Sequence, residues 1–255
     1  ALKKSINGLV NKVNIPNIQH IVIELFNENV VRGKGLLCRS IQKAQMASQT
    51  FTHVFAALIA IINTKLPQTG DLLLRRLVAQ FQRCFKRNDK TQLIGLCKFI
   101  GHLANQRVAH EVVVLQILML LLSKPTNDSV EVAITFLREV GQFLQEVSPR
   151  GLEAVFDTLR NVLHQANVDT RVQYMIEVIM AVRKDKFVEH PQVTKELDLV
   201  EEDDQITHQI SLDGKVEEEK LLDVFKFDPK FEQNEASYKE LRAEILGEGS
   251  DEDGS

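Results

Sequence analysis

Apolar side chains recur at three- and four-residue spacing from the second residue onward. Leu2, Ile6, Leu9, Val10 and Val13 share one stripe of a helix over 2–13. Asn14-Ile15-Pro16 interrupts that stripe, and Pro16 suits the first turn of a second helix over 17–27. The same spacing predicts helices over 35–47, 49–64, 71–87, 90–105, 111–123, 129–146, 149–165 and 169–184. Pro67 with Gly70, Lys124-Pro125 and Ser148-Pro149 punctuate them, Ser148 having the hydroxyl of an N-cap and Pro149 the ring of a first helical residue. Ten short helices with short connections pair into five hairpins of roughly 35–40 residues each. One helix pair cannot bury its apolar face alone, so successive pairs must stack. The expected fold is all-α, an alpha-alpha superhelix (solenoid) of five hairpins over 1–186.

The pattern changes after Phe187. Glu201-Glu202-Asp203-Asp204 is an acidic run, and Ile206, His208, Ile210 and Leu212 then alternate with polar residues up to Asp213-Gly214. Alternation ending in a turn dipeptide predicts a β-hairpin, with Leu222, Val224 and Phe225 to Phe227 as the return strand. A last amphipathic helix is expected over 235–246, with Ser237 and Glu240 at capping-box spacing and Gly247 as its stop. Residues 187–248 thus form a small strand and helix extension, and 249–255 a disordered tail.

Charge divides at the same place. Residues 1–185 carry a net +9 and residues 186–255 a net −13. Such a split implies that the body meets something acidic, or the tail something basic. The chain opens at Ala1 and not at a methionine, which points to a piece of something longer, and no secretory leader is visible. The longest apolar stretch, Val112 to Leu122, is broken by Gln116 and falls short of the ~20 residues a membrane span needs. Cys38, Cys84 and Cys97 lie inside helical patterns without CxxC pairing and read as core thiols of an intracellular protein.

Catalytic and cofactor signatures are lacking, so the chain reads as a non-enzyme with no cofactor and no metal. Gly33-Lys34-Gly35 does not have the spacing of a phosphate-cradling loop. The seven histidines form no HExxH or cysteine-histidine pattern, and His102 and His110 fall near a turn where a hydrogen-bonded histidine is far commoner than a metal ligand. The densest basic group is Arg75, Arg76, Arg83, Lys86, Arg87 and Lys90. Arg76, Arg83 and Arg87 share one helix face. That face could touch RNA phosphates, but no interleaved aromatics supply stacking, so any direct RNA contact is expected to be weak.

The helical region resembles the middle domain of translation initiation factor 4G, a five-repeat HEAT-type domain. The resemblance rests on Ser5-Ile6-Asn7-Gly8-Leu9-Val10-Asn11-Lys12-Val13 followed by Pro16, on Lys98-Phe99-Ile100-Gly101-His102-Leu103, and on Asp169-Thr170-Arg171-Val172-Gln173-Tyr174-Met175. Gly8, the run Glu28-Asn29-Val30-Val31-Arg32-Gly33-Lys34-Gly35-Leu36-Leu37-Cys38-Arg39 and the tail element Ile206-Thr207-His208-Gln209-Ile210-Ser211-Leu212 are similar to the spliceosomal branch of that family. His102 stands where the family usually has glutamate, so no acidic role carries over there.

The resemblance implies a nuclear (speckle and spliceosome) scaffold in pre-mRNA splicing. Its implied partners are a DEAD-box RNA helicase of the initiation factor 4A class, the anchor of the exon junction complex, and other spliceosome components. The scaffold is implied to hold the helicase open and inactive and to escort it to the spliceosome. A translation-type scaffold that stimulates its helicase, and an RNA-binding solenoid, are the alternatives. The implied contact edge is Gly8, Asn11, Lys12 and Asn14, with Arg171 at the other end for the second helicase lobe. Gly8 leaves room for a partner's close approach, although a packing glycine between helices would look the same in sequence.

Overall fold

The computed structural model describes residues 1–165, 167–224 and 227–247. Ten helices in hairpin order follow the sequence periodicity: α1 Leu2–Lys12, α2 Ile18–Asn27, α3 Lys34–Ala47, α4 Thr52–Lys65, α5 Pro67–Lys86, α6 Lys90–Asn105, α7 Glu111–Ser123, α8 Asn127–Val147, α9 Pro149–Gln165 and α10 Thr170–Lys184. Helices α2, α4, α6, α8 and α10 pack in succession as one layer, and the odd-numbered helices line the other. This is the five-hairpin solenoid that the spacing predicts. Its shared core is continuous from Ile6 to Ile179. Each layer buries one stripe: Ile6, Leu9 and Val10 on α1, and Leu96, Phe99, Ile100 and Leu103 on α6. All three cysteines are buried free thiols, and burial pushes Cys38 up to about 12. No single described helix is long and apolar enough to cross a membrane.

The extension corrects the sequence reading. No strand forms among the described residues; the one bridge, between Ala109 and His208, is isolated and parallel. His208 N–H donates to Val108 O at 2.8 Å, and its carbonyl accepts from His110 N–H at 3.0 Å. The alternation is real, but it marks a single extended segment riding on the solenoid. His208, Ile210 and Leu212 face the body while Gln209 faces water, and the exposed Ser211 hydroxyl accepts from Gln116 Nε2 at 3.2 Å. No return strand follows: Lys220–Asp223 is a 3₁₀ turn, and Phe225 and Lys226 lie outside the described residues, as does 249–255.

The last helix, α11, spans Phe231–Leu246, so Ser237 sits inside it and caps nothing. Asp228 organises its start instead, accepting from Lys230 N–H at 2.9 Å and Asn234 Nδ2 at 2.7 Å. Residues 187–224 form a strap that retraces the solenoid from its last hairpin to its second. The strap begins with Phe187, fully buried against Phe156, and lays Leu197 near α4. It then crosses the rim made by the α4–α5 and α6–α7 turns, where Asn63 and Ala109 hold it. From there it follows α7, α5 and α3 through Gln116, Gln82 and Gly35, and α11 closes on α2.

Candidate partner-binding site

The α1–α2 corner is built by asparagines. Asn14 N–H donates to Asn17 Oδ1 at 2.7 Å, Asn17 N–H returns to Asn14 Oδ1 at 3.0 Å, and Asn17 Nδ2 caps Lys12 O at 2.8 Å. Asn14 therefore spends its acceptor on the turn, and its role at the edge is to shape it. Asn11 and Lys12 project from the last turn of α1 into solvent. Among the described residues neither side chain has a hydrogen-bond or ion-pair partner. Gly8 lies one turn earlier, and a Cβ built there would meet nothing within 4 Å. That removes the packing explanation for this glycine, since no neighbouring helix approaches it. Ile15, 37% exposed, extends the edge with an apolar side chain that the sequence reading did not single out.

At the far end, Arg171 in the first turn of α10 makes a bidentate pair with Glu131 of α8, at 3.0 and 3.2 Å. Lys90 of α6 reaches the same carboxylate at 2.5 Å. The Arg171 hydrogen bond, followed by that of Lys90, holds the Glu131 carboxyl below its usual range. Arg171 is thus half of a surface clamp joining α6, α8 and α10, with Tyr174 beside it 66% exposed. The pairing of Lys90 with Glu131 escapes a sequence reading because 41 positions of chain separate them.

The basic group is not an open surface. Arg76 is 4% exposed; its Nε and Nη2 donate to Glu218 O at 2.9 Å and Glu219 O at 3.1 Å, and its Nη1 to Gly35 O at 3.0 Å. Nη1 also lies 2.8 Å from Asp223 Oδ1, an ion pair rather than an aligned hydrogen bond. Arg75 binds Glu217 O at 2.5 Å and Glu219 Oε2 at 2.7 Å, and Arg83 pairs with the Glu218 carboxylate. Glu219, held in the left-handed region at φ 48°, is kept there by these contacts. Of the expected RNA-facing trio only Arg87 stays outside the strap, donating to Cys84 Sγ at 3.3 Å. The acidic partner that the charge split implied is the chain's own extension.

The two singled-out histidines are hydrogen-bonded near the turn. His102 Nε2 lies 2.9 Å from Glu139, and His110 Nδ1 accepts from Val112 N–H at 3.1 Å, capping α7. Among the described residues no group of three or more His, Cys, Asp or Glu side chains could hold a metal ion.

Residues 3–186 match the model of the MIF4G domain. The chain belongs to the MIF4G family. The match ends one residue before the strap begins. Similarity to whole proteins runs further: the chain is 61% identical over 252 residues to the pre-mRNA-splicing factor cwc22 of Aspergillus fumigatus, and 58% identical over 249 residues to the pre-mRNA-splicing factor CWC22 homolog of Homo sapiens. These alignments cover 99% and 98% of this MIF4G chain but only 29% and 27% of the relatives. The chain thus spans under a third of their length, and the strap falls within the shared part.

Proposed function

We propose that this MIF4G chain is the helicase-binding scaffold of a nuclear pre-mRNA-splicing factor, without catalytic activity of its own. Its partner is a DEAD-box RNA helicase of the initiation factor 4A class, which it holds open and inactive and escorts to the spliceosome for exon junction complex assembly. The observation that carries the reading is the unpartnered edge of α1. A mid-helix glycine costs about 1 kcal/mol against alanine, and Gly8 has no packing role inside the chain to offset that. Beside it Asn11 offers donors and acceptors, and Lys12 a mobile charge. A partner's backbone lying over Gly8 would use all three. Arg171 and Tyr174 at the start of α10 supply the contact for the second lobe.

The test is the double change Asn11→Asp with Lys12→Glu. It should abolish capture of the helicase while leaving helicity and melting temperature nearly unchanged, because neither side chain is buried or paired. Retained capture by the folded double variant would remove this edge as the site. The helicase's ATPase rate separates the splicing reading from the translation-type scaffold: suppression by the unmodified chain supports the first, stimulation the second.

A further inference from the structure

A solenoid is elastic because each repeat touches only its neighbours, so small changes at successive interfaces add up along its length. This chain adds contacts that ignore that order. Phe187 ties the strap to α8 and α9, Gln192 N–H donates to Gln142 of α8 at 2.8 Å, and Gln106, just past the end of α6, donates to Leu197 O at 3.1 Å. Asn63 Nδ2 donates to Ile206 O at 2.8 Å, and Gln116 Oε1 of α7 accepts from Leu212 N–H at 2.8 Å. Arg75, Arg76 and Arg83 of α5 grip residues 217–223.

Two glycines exist in a form that only the strap explains. A Cβ on Gly141 of α8 would lie 2.0 Å from Phe187 Cε1 and 2.4 Å from its two ring neighbours. A Cβ on Gly35 of α3 would lie 2.6 Å from Leu222 Cβ and 2.8 Å from its carbonyl. Both sit in helices, where alanine would be favoured by about 1 kcal/mol. The strap is therefore seated at both ends by close approach to a bare helix backbone.

We infer that residues 187–224, seated on Gly35 and Gly141, act as a tie that fixes the span between the second and last hairpins, and with it the position of α1, which packs on α3. This rests on the proposed function for its purpose: the α1 edge and the α10 start would be set at one separation, so that a two-lobed partner meets a preorganised pair of contacts. A fixed span raises the effective concentration of the second contact once the first is made.

The span itself can be measured without any partner. Spin labels at Lys4→Cys and Glu177→Cys, both exposed, report the α1–α10 distance by double electron–electron resonance. The three native thiols are buried and stay unlabelled. The Gly35→Ala, Gly141→Ala chain should keep its helicity, become cleavable by trypsin at Lys215 and Lys220, and show a clearly broadened distance distribution. Glu218→Lys with Glu219→Lys, which leaves every solenoid helix untouched, should broaden it as well. A distribution as narrow as that of the unmodified chain in both variants would overturn the inference, as would a strap that stays protected from trypsin in both. Helicase capture is read separately: a tie that holds while capture fails would remove the proposed partner and leave the tie standing.

Discussion

The Tyr238 hydroxyl donates a 2.6 Å hydrogen bond to the backbone carbonyl of Phe26, at the end of α2. The bond joins residues 212 positions apart and closes the last helix onto the first hairpin. Asn29 Nδ2 adds a 2.9 Å bond to Glu235 alongside it.

Tyr238→Phe keeps the ring and strands the Phe26 carbonyl. An unsatisfied buried acceptor costs about 1–3 kcal/mol, and urea denaturation should show that loss in the midpoint with little change in slope. Burial raises the Tyr238 hydroxyl to about 12 from 10.0. The folded state prefers the neutral phenol, so this contribution is complete below pH 10 and fades as the pH climbs towards 12. Melting curves across that range should show a falling stability that is weaker in the phenylalanine variant.

Arg76→Ala should be among the most damaging single changes in the chain. It leaves Asp223 and three carbonyls without their cation, and breaking a buried pair costs about 3–5 kcal/mol. Arg87→Ala, about three turns further along the same face, at the end of α5 and outside the strap, should stay within about 0.5 kcal/mol. Equal losses in the two variants would mean that the strap does not hold Arg76 as described.

His208 supplies an acid-sensitive point in the strap. Its ring is half-buried, with Nε2 2.7 Å from Asn63 Oδ1; because Asn63 Nδ2 donates to Ile206 O, Nε2 must carry the proton that Oδ1 accepts. Burial lowers the pKa of His208 from 6.5; Asp71, 3.9 Å from Nδ1, opposes this and Arg75 reinforces it. Above pH 6.5 both states are neutral and the docking is undiminished. As the pH falls through the lower folded value, the released state takes the proton more readily and docking weakens. Hydrogen exchange at the His110 amide should accelerate between neutral pH and the folded pKa, after correction for the intrinsic pH dependence, and a His208→Gln chain should lose that dependence.

Gly8→Ala separates folding from binding by the sign of its effects. Open space over Gly8 lets alanine raise helix stability by about 1 kcal/mol, which for a chain of this size is a rise of roughly 2–4 °C in Tm. Helicase affinity should fall at least several-fold in the same variant, and a larger Gly8→Tyr side chain should abolish it. A variant that melts higher and binds as before would place the contact elsewhere on the solenoid.

Helix periodicity made the solenoid legible, because each amphipathic stripe is a local property. Helices α6, α7 and α9 begin and end where the spacing puts them, and the others shift at their ends, where capping and tertiary contacts decide. The extension was harder for the same reason inverted: its structure is dictated by what lies beneath it. Ile210 and Leu212 alternate like a strand, yet the surface they cover belongs to the solenoid and not to a second strand. Arg76 looked like any solvated arginine because nothing near it in sequence announces Glu218 and Glu219. The charge split was the one visible trace of that contact. At the α1 edge, residue types alone left Gly8 open between packing and partner; the empty volume above it removes the packing role, and the partner is what we propose.

The closure of α11 on α2 also settles how the chain enters and leaves its own fold. Ser5 of α1 donates to Glu28 at the end of α2 at 2.6 Å, and Tyr238 reaches the neighbouring carbonyl of Phe26. The first and last described helices, α1 and α11, therefore both pack on α2, where an ordinary stack of repeats would carry them at opposite poles. Residues 1–247 taken by themselves are a subject for circular permutation: a linker can join Gly247 to Ala1, and a cut in the α7–α8 turn at Lys124-Pro125 opens new ends. In that rearranged chain the strap would precede the first hairpin in synthesis and lie ready as each later repeat docks.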